Sequence, residues 1–463
     1  MEELSQIISS VSGFVWNNLL LYLLVGTGLI FSLRTKFIQV RKFGTGLRIA
    51  FGSFSLNGKK ADRHGMSSFQ ALATSIAAQV GTGNIVGCAT ALYSGGPGAI
   101  FWMWLSAFLG MATIYGEAVL AQIYKTKDKD GHVTGGPIYY IKARFPNGFG
   151  KFLAGFFAVA IIFALGFAGN MVQANSISDS FYTAFGVPRW IVGVCIAAVA
   201  AFIFLGGVKR LASVTEKLVP IMAVIYVVGC LVILVIQHDH VLEAFRSIFV
   251  GAFKPSAVLG GAVGIGIREA MRFGVARGLF SNEAGMGSTP HAHALAKVKH
   301  PQEQGMIAMQ GVFFDSFVVL TLTALVILTS GQLQAGVKGA LEGSALAQAS
   351  FCVTFGSFGN GFIAICMLFF AFSTILGWYF FGEVNVKALF GTKATKVYAV
   401  LVVICIIVGS LLKIDVVWNL SDLFNGLMVF PNLVALLFLS GTVAKAVRDY
   451  DVHPTNSTDV KED

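Results

Sequence analysis

Apolar residues run along this chain in long blocks, without the alternation of a half-buried strand or the narrow stripe of a soluble helix. Blocks of about 17 residues or more, enough for an α-helix to cross a bilayer, occur eleven times. Their approximate limits are 14–33, 68–94, 98–124, 152–178, 188–208, 218–237, 256–281, 305–330, 358–382, 396–412 and 418–442. The polar segments between them are short, the longest being 34–66 and a tail from Asp449 that is expected to be disordered. The expected fold class is an all-α integral membrane protein of eleven transmembrane helices.

If the 14–33 span is peripheral, ten spans remain in two sets of five, 67–237 and 256–442, followed by a tail at 443–463. An odd number of spans per set inserts the second set upside down relative to the first, which is the inverted-repeat plan of many transporters. The start, MEELSQ, lacks a basic segment and a small-residue cleavage site, so 14–33 reads as a retained span and not a signal peptide.

Charge placement sets the expected orientation. Of the 33 Lys and Arg, 25 fall in alternate loops, five in the others, and three (Arg268, Arg272, Arg277) within the seventh span. The positive-inside rule then puts the amino terminus outside and the carboxyl terminus in the cytoplasm of a multi-pass cell-membrane protein. The net charge of +10 is thereby explained by topology, and nucleic-acid binding is excluded. Asn456-Ser-Thr, on the inner side, is not read as a glycosylation site. The six cysteines have no metal-ligand spacing, and all but Cys352 sit in apolar runs as small core residues.

One apolar run is interrupted. Gln79-Val-Gly-Thr-Gly-Asn84 places two glycines around a threonine near the middle of the second span, which weakens its hydrogen-bond ladder. Irregular backbone at that depth persists only where it lines a protein-walled cavity. Broken helices build the midplane sites of secondary transporters. An inverted partner is expected in the seventh span, either at Gly260–Gly266 or at Ser281–Gly287. The first matches the symmetry better and is the favoured break; the second reads as an inner gate or cap.

Gly95-Gly-Pro-Gly-Ala-Ile-Phe-Trp-Met-Trp-Leu-Ser-Ala-Phe-Leu-Gly110 resembles the signature of the alanine or glycine:cation symporters, also called sodium:alanine symporters. VGTGNIVG, GGPIYYI (135–141), RGLFSNEAGMGSTP (277–290) and FAFSTILGWYFFGE (370–383) are similar to further blocks of that family. The resemblance spans nearly the whole chain. It implies a leucine-transporter-like fold, 5+5 inverted repeat plus one amino-terminal helix. It also implies sodium-driven uptake of small neutral amino acids such as alanine and glycine, sodium being co-transported with no organic cofactor.

The residues suit that chemistry. Free backbone amides at a broken helix can hold a substrate carboxylate, and those of Thr82 and Gly83 are candidates, with Gly264 and Gly266 closing the other side. Carbonyls exposed at Gln79 and Val80 can serve sodium, and the Asn84 side chain can serve ion or substrate. By resemblance to the leucine-transporter fold, one ion lies between the first core helix and the eighth, where Ser373 and Thr374 add hydroxyls. Trp378, four residues past Thr374, can wall the pocket against large side chains. Gln79 departs from the arginine that many members carry there, which leaves its substrate contact open. The plainer alternatives are that Ser373 and Thr374 bond back into their own helix and that Gly95–Gly98 serve a turn and close packing. Phe101–Trp104 read as an interfacial aromatic belt.

Ionisable groups inside spans are costly and default to functional candidates. Glu117, Asp315, Arg277 and Glu283 are candidates for gating or coupling, with Arg277–Glu283 as an inner-gate ion pair. Glu117 and Asp315 keep proton coupling open as the rival to sodium. Arg268 and Arg272, i and i+4, read as a water-facing stripe. His291 and His293 do not share a helical face, which disfavours a metal site. No nucleophile–base pair or repeated filter motif supports an enzyme or a channel. The partners expected are a small neutral amino acid, sodium and the bilayer, with a monomer assumed.

Overall fold

A computed structural model of the chain describes residues 11–52, 65–259, 265–412 and 414–452. Among the described residues, helix covers most of each of the eleven apolar runs. Among the described residues, seven helices are individually long and apolar enough to cross a membrane: Gly98–Ile123, Gly148–Phe185, Gly207–Ile236, Pro301–Thr329, Phe358–Phe390, Ala394–Leu411 and Val417–Val452. The others are shorter or are broken into two pieces.

In chain order, α1 (Leu21–Arg34) precedes the interrupted pair α2 (Ser68–Gln79) and α3 (Cys88–Gly95), then α4 (Gly98–Ile123). A small hairpin of β1 (Thr126–Lys127) and β2 (Val133–Thr134) follows. Next come α5 (Gly148–Ile161), α6 (Asn170–Phe185), α7 (Arg189–Phe204), α8 (Gly207–Ile236) and α9 (His238–Phe253). The second interrupted pair is α10 (Ile267–Asn282) and α11 (Pro290–Ala294). The chain continues through α12 (Pro301–Val312), α13 (Thr321–Thr329), α14 (Gly343–Phe355), α15 (Phe358–Phe390), α16 (Ala394–Leu411) and α17 (Ile414–Val452). Wide π-type turns at Gly83–Gly87, Ile162–Gly169 and Phe313–Leu320 lead into α3, α6 and α13.

The two broken helices run antiparallel and side by side, α10 packing on α3 and α11 on α2. Around them α4, α12, α15 and α8 supply most of the buried apolar surface. The Gly95–Gly98 segment does serve a turn and a tight crossing. Gly96 has φ 68°, and a methyl on Gly98 would strike the backbone of Gly251 in α9. Trp102 and Trp104 are half-buried and point into the protein's own outer helices. Their indoles donate to Ala252 O at 3.3 Å and Thr321 Oγ1 at 2.8 Å, and their rings meet Phe253 edge-on and Phe249 tilted, centroids 5.9 Å apart in each case.

Among the described residues, α9 and α14 are the longest of several helices that lie where loops were expected. Both carry charged or polar residues at intervals, so neither produces a long apolar run, although α9 buries Ala244, Ile248, Gly251 and Ala252 along one face.

Candidate functional site

The first interruption is real. α2 starts at a capping box between Ser67 and Gln70 and stops at Val80, whose ψ of 89° leaves the helical region. Gly81 N then donates to Asn84 Oδ1 at 3.0 Å, and Asn84 N returns to Gly81 O at 3.3 Å. Thr82 N donates to Gln173 Oε1 of α6 at 3.2 Å, so the amide expected to await substrate is held by a side chain. The Thr82 hydroxyl and Gln173 Nε2 are buried beside it with no partner among the described residues. Gly83 is needed for proximity: a Cβ there would sit 2.9 Å from Ser281 Cα.

An interruption lies at Glu283–Thr289, between α10 and α11, the alternative place expected for it; of the favoured 260–266 stretch, residues 260–264 lie outside the described residues. Gly264 lies outside the described residues. Gly266 heads α10, its amide bonded to Glu269 Oε2 at 3.3 Å. The 16 residues of α10, roughly 24 Å of rise, separate it from the break, so it is no partner of Thr82. The turn is made by three left-handed residues, Glu283 at φ 58°, Gly285 at 91° and Gly287 at 78°. Glu117 of α4 holds it in place. Its carboxylate accepts from Gly285 N at 3.0 Å, Gly287 N at 2.9 Å and Asn432 Nδ2 at 2.7 Å. Asn432 Nδ2 also reaches Gly285 O at 2.9 Å.

Where α2 ends, its final carbonyls lack helical partners and carry the negative end of the helix dipole. Against them lie two hydroxyls of α15. Thr374 Oγ1 is 2.9 Å from Ala77 O, 3.3 Å from Ala78 O and 3.5 Å from Val80 O. Ser373 Oγ is 3.2 Å from Ala77 O. Both hydroxyls also bond back to Phe370 O, at 2.8 Å and 3.0 Å, as the plainer reading anticipated. Two hydroxyl hydrogens thus face four carbonyl oxygens. An oxygen-lined cradle with more acceptors than donors fits a small hard cation. Gly81 forms its floor, because a methyl there would overlap Thr374 Oγ1.

Of the residues expected at the cation, Val80, Ser373 and Thr374 converge here, and Ala77, Ala78 and Phe370 join them. The Gln79 and Asn84 side chains do not. Gln79 Nε2 spans the two breaks to Asn282 O at 2.8 Å, because successive residues at a helix end point to different faces. Asn84 turns instead to Asp315, whose Oδ1 accepts from Asn84 Nδ2 at 2.7 Å and Ser281 Oγ at 2.9 Å, and whose Oδ2 accepts from Ser316 Oγ at 2.9 Å. One buried carboxylate therefore touches both interrupted helices.

Trp378 is buried, but it serves the second break: its indole N–H donates to Glu283 Oε1 at 2.5 Å, while Ser288 Oγ bonds the other oxygen. Glu283 is therefore not paired with Arg277. Six residues apart, they fall on different faces, and Glu283 is already past the helix end. Arg277 instead makes a two-pronged bridge to Asp422 of α17, both contacts 2.8 Å, and lies over the Trp418 ring at 4.7 Å. Arg268 is exposed, and Arg272 is half-buried with its guanidinium over the Phe273 ring. His291 and His293 hold separate partners, His291 with Ser288 O and Asn385, His293 with Gln304.

A cavity of about 1000 Å³ opens on the face carrying the basic loops, lined among others by Met66, Tyr139, Lys209, His291, Phe380 and Lys387. The hairpin forms one wall, tied to α15 by Lys387 with Asp128 at 2.8 Å and Asp130 at 2.9 Å. Asp128, Asp130 and His132 lie close enough to share a metal, but the Lys387 ammonium already bridges the two carboxylates. Partial burial raises the Asp128 carboxyl, and the Lys387 ammonium outweighs it, leaving the group below the usual Asp value; Lys387 lowers Asp130 as well.

Gln173 and Asp422 were missed, and Ala77 and Ala78 were not named among the carbonyls expected at the break. Gln173 and Asn170 are amides in an otherwise apolar span, and that oddity was the available signal.

Comparison with known proteins agrees with this architecture. A family model described as the sodium:alanine symporter family matches residues 1–463. Sodium/alanine symporter AgcS of Methanococcus maripaludis is 42% identical over 446 residues, covering 96% of this chain and 97% of that protein. A Bacillus subtilis protein named "Probable sodium/glutamine symporter GlnT" is 40% identical over 449 residues, covering 96% and 91%. The crystal structure of MhsT in complex with L-phenylalanine has the same leucine-transporter-like fold. It aligns with a TM-score of 0.57 at 14% identity, over 85% of this chain and 99% of that one.

Proposed function

The chain belongs to the sodium:alanine symporter family of membrane transporters, and from that premise we propose that it carries small neutral amino acids, alanine and glycine, into the cell with sodium. Sodium-coupled amino-acid symport is the family's general activity, and the protein is a transporter and not an enzyme. The observation that carries the proposal is the cradle at the end of α2, where Ala77, Ala78, Val80 and Phe370 carbonyls meet the Ser373 and Thr374 hydroxyls. A cation there would bridge the interrupted helix to α15, so its arrival and departure would bias their relative position.

The amino acid would sit between the two breaks, against the Thr82 hydroxyl and the Gly81–Gly83 backbone, with Gln79, Gln173 and Trp378 setting the limits of the space. Tight contacts from Ser281 and Gln173 leave little width there, which supports small side chains. Arg277–Asp422 would close the outer side, and Glu117 would keep the second break open to substrate by holding Gly285 and Gly287. The helices would work as two inverted five-helix sets, 67–237 and 256–442, with the amino terminus outside and the carboxyl terminus inside.

Asp315 favours one second reading, in which a proton at this carboxylate replaces or accompanies sodium. Counterflow in proteoliposomes with a panel of unlabelled amino acids tests the substrate. Alanine and glycine should drive exchange of labelled alanine, and leucine or phenylalanine should not. Equal exchange with the large side chains would overturn the size limit.

A further inference from the structure

A file of buried polar side chains leads from the cradle toward the large cavity along the seam of α2 and α8. On α2, Gln70, Thr74 and Ala77 follow one another at helical spacing on one face. Thr215 and Glu216 of α8 face them. Gln70 Nε2 donates to Glu216 Oε2 at 3.0 Å, and the Thr74 and Thr215 hydroxyls are 3.2 Å apart. Farther along α8, Met222 Sδ lies 3.5 Å from Ser373 Oγ, at the cradle itself. At the other end, Met66 lies one turn before Gln70 and Lys209 two turns before Glu216, and both line the cavity of about 1000 Å³.

Glu216 is the anomaly in this file. It is 7% exposed, and its second oxygen, Oε1, has no partner among the described residues. A carboxylate held at that depth by a single neutral amide is costly unless a positive charge visits it. Gln70 is committed on its other side, its Oε1 taking the Ser67 amide at 3.2 Å, so it cannot turn to satisfy the free oxygen.

We propose that Glu216, with the Thr215 and Thr74 hydroxyls, is a relay site for a monovalent cation between the cradle and the cavity on the basic face. The proposal rests on sodium coupling at the cradle. A cation leaving Ala77 O meets the two hydroxyls first, then the free carboxylate oxygen, then water in the cavity. The fixed charge draws the ion in that direction and raises its local concentration when it enters from that side.

The test is sided. Sodium dependence of alanine uptake is measured in right-side-out and inside-out membrane vesicles for the wild type and Glu216→Gln, which removes the charge at nearly constant shape. Seven residues of helix place the charge about 10 Å from the cradle. A unit charge at that range changes apparent sodium affinity by roughly 2- to 15-fold as the effective dielectric falls from 80 to 20. The charge acts on the cradle from either face, so the relay is read from the difference: the KM for sodium should rise several-fold more in inside-out than in right-side-out vesicles. Glu216→Asp, which keeps the charge, should restore the inside-out value, and it carries the test if the Gln variant does not fold. An equal change on both faces, no change on either, or failure of Asp to rescue would overturn the relay. Thr374→Val separates the two proposals. If it raises the sodium KM on both faces while Glu216→Gln has no sided effect, only the relay fails. If wild-type uptake ignores sodium on both faces, the coupling reading fails.

Discussion

Thr374→Val removes one hydroxyl from the cradle and leaves the side-chain shape almost intact. In the protein, Thr374 Oγ1 is the oxygen that reaches the most α2 carbonyls, those of Ala77, Ala78 and Val80. Replacing it by a methyl withdraws one ligand from the cation and presses an apolar group on those carbonyls. A hydrogen-bond-type contact to a charged partner contributes about 1.5–3 kcal/mol, which corresponds to roughly 10- to 150-fold in affinity. The empty protein loses less, since one hydroxyl hydrogen shared among several carbonyls makes a single bond, worth about 1 kcal/mol. Binding of radioactive sodium to purified protein, beside sodium titration of alanine uptake, reads the first quantity. Thermal unfolding in detergent reads the second. The expected pattern is a large loss of sodium affinity with a melting temperature lowered by only a few degrees. Sodium affinity equal to wild type in a well-folded Thr374→Val protein would refute the placement of the ion.

Gly81→Ala should abolish sodium-dependent uptake while the protein still reaches the membrane, because the added methyl occupies the space of Thr374 Oγ1; surviving uptake with unchanged sodium KM would contradict the cradle. Glu117→Gln leaves one acceptor for three donors, Gly285 N, Gly287 N and Asn432 Nδ2. It should cost about 2–3 kcal/mol, visible as a lowered melting temperature together with weakened alanine binding. In the hairpin, Asp128 and Asp130 have carboxyls lowered from the ordinary value of 3.8 by Lys387, so the stabilisation from that tie is complete above the unfolded value. It is lost only as pH falls through the lower folded values. Tryptic cleavage at Lys129, scaled at each pH to that of an unstructured reference peptide, should therefore be unchanged between pH 7 and pH 5 and rise in Lys387→Ala at both.

Much of the membrane architecture was legible because hydrocarbon imposes one simple demand, a long apolar helix with its own hydrogen bonds. The break at Val80–Gly81 was legible for the same reason, since two glycines and an asparagine in mid-span weaken that ladder. The break at Glu283–Thr289 was only the second choice because glycine density is an ambiguous signal. Gly266 is an extended residue at a helix start, whereas Glu283, Gly285 and Gly287 each adopt positive φ. Glu283 is not a glycine, and its left-handed conformation is held by Trp378 and Ser288, partners that no local pattern discloses. Ser373 and Thr374 were found through family resemblance, while the carbonyls they meet follow from where α2 ends. Gln173, Asp422 and Glu216 act across helices, so their roles emerge only when α6, α17 and α8 are packed. α9 and α14 escaped notice because a helix lying against other helices needs only one apolar face.

The account stands on sodium entering the cradle and dragging a small zwitterion with it. In proteoliposomes, an inward sodium gradient of tenfold with about 100 mV negative inside provides about 1.4 plus 2.3 kcal/mol. At one ion per substrate this supports accumulation of alanine up to about 500-fold. Uptake should therefore be uphill, electrogenic and absent when sodium is replaced by choline. Undiminished uptake in sodium-free buffer under a proton gradient would contradict it.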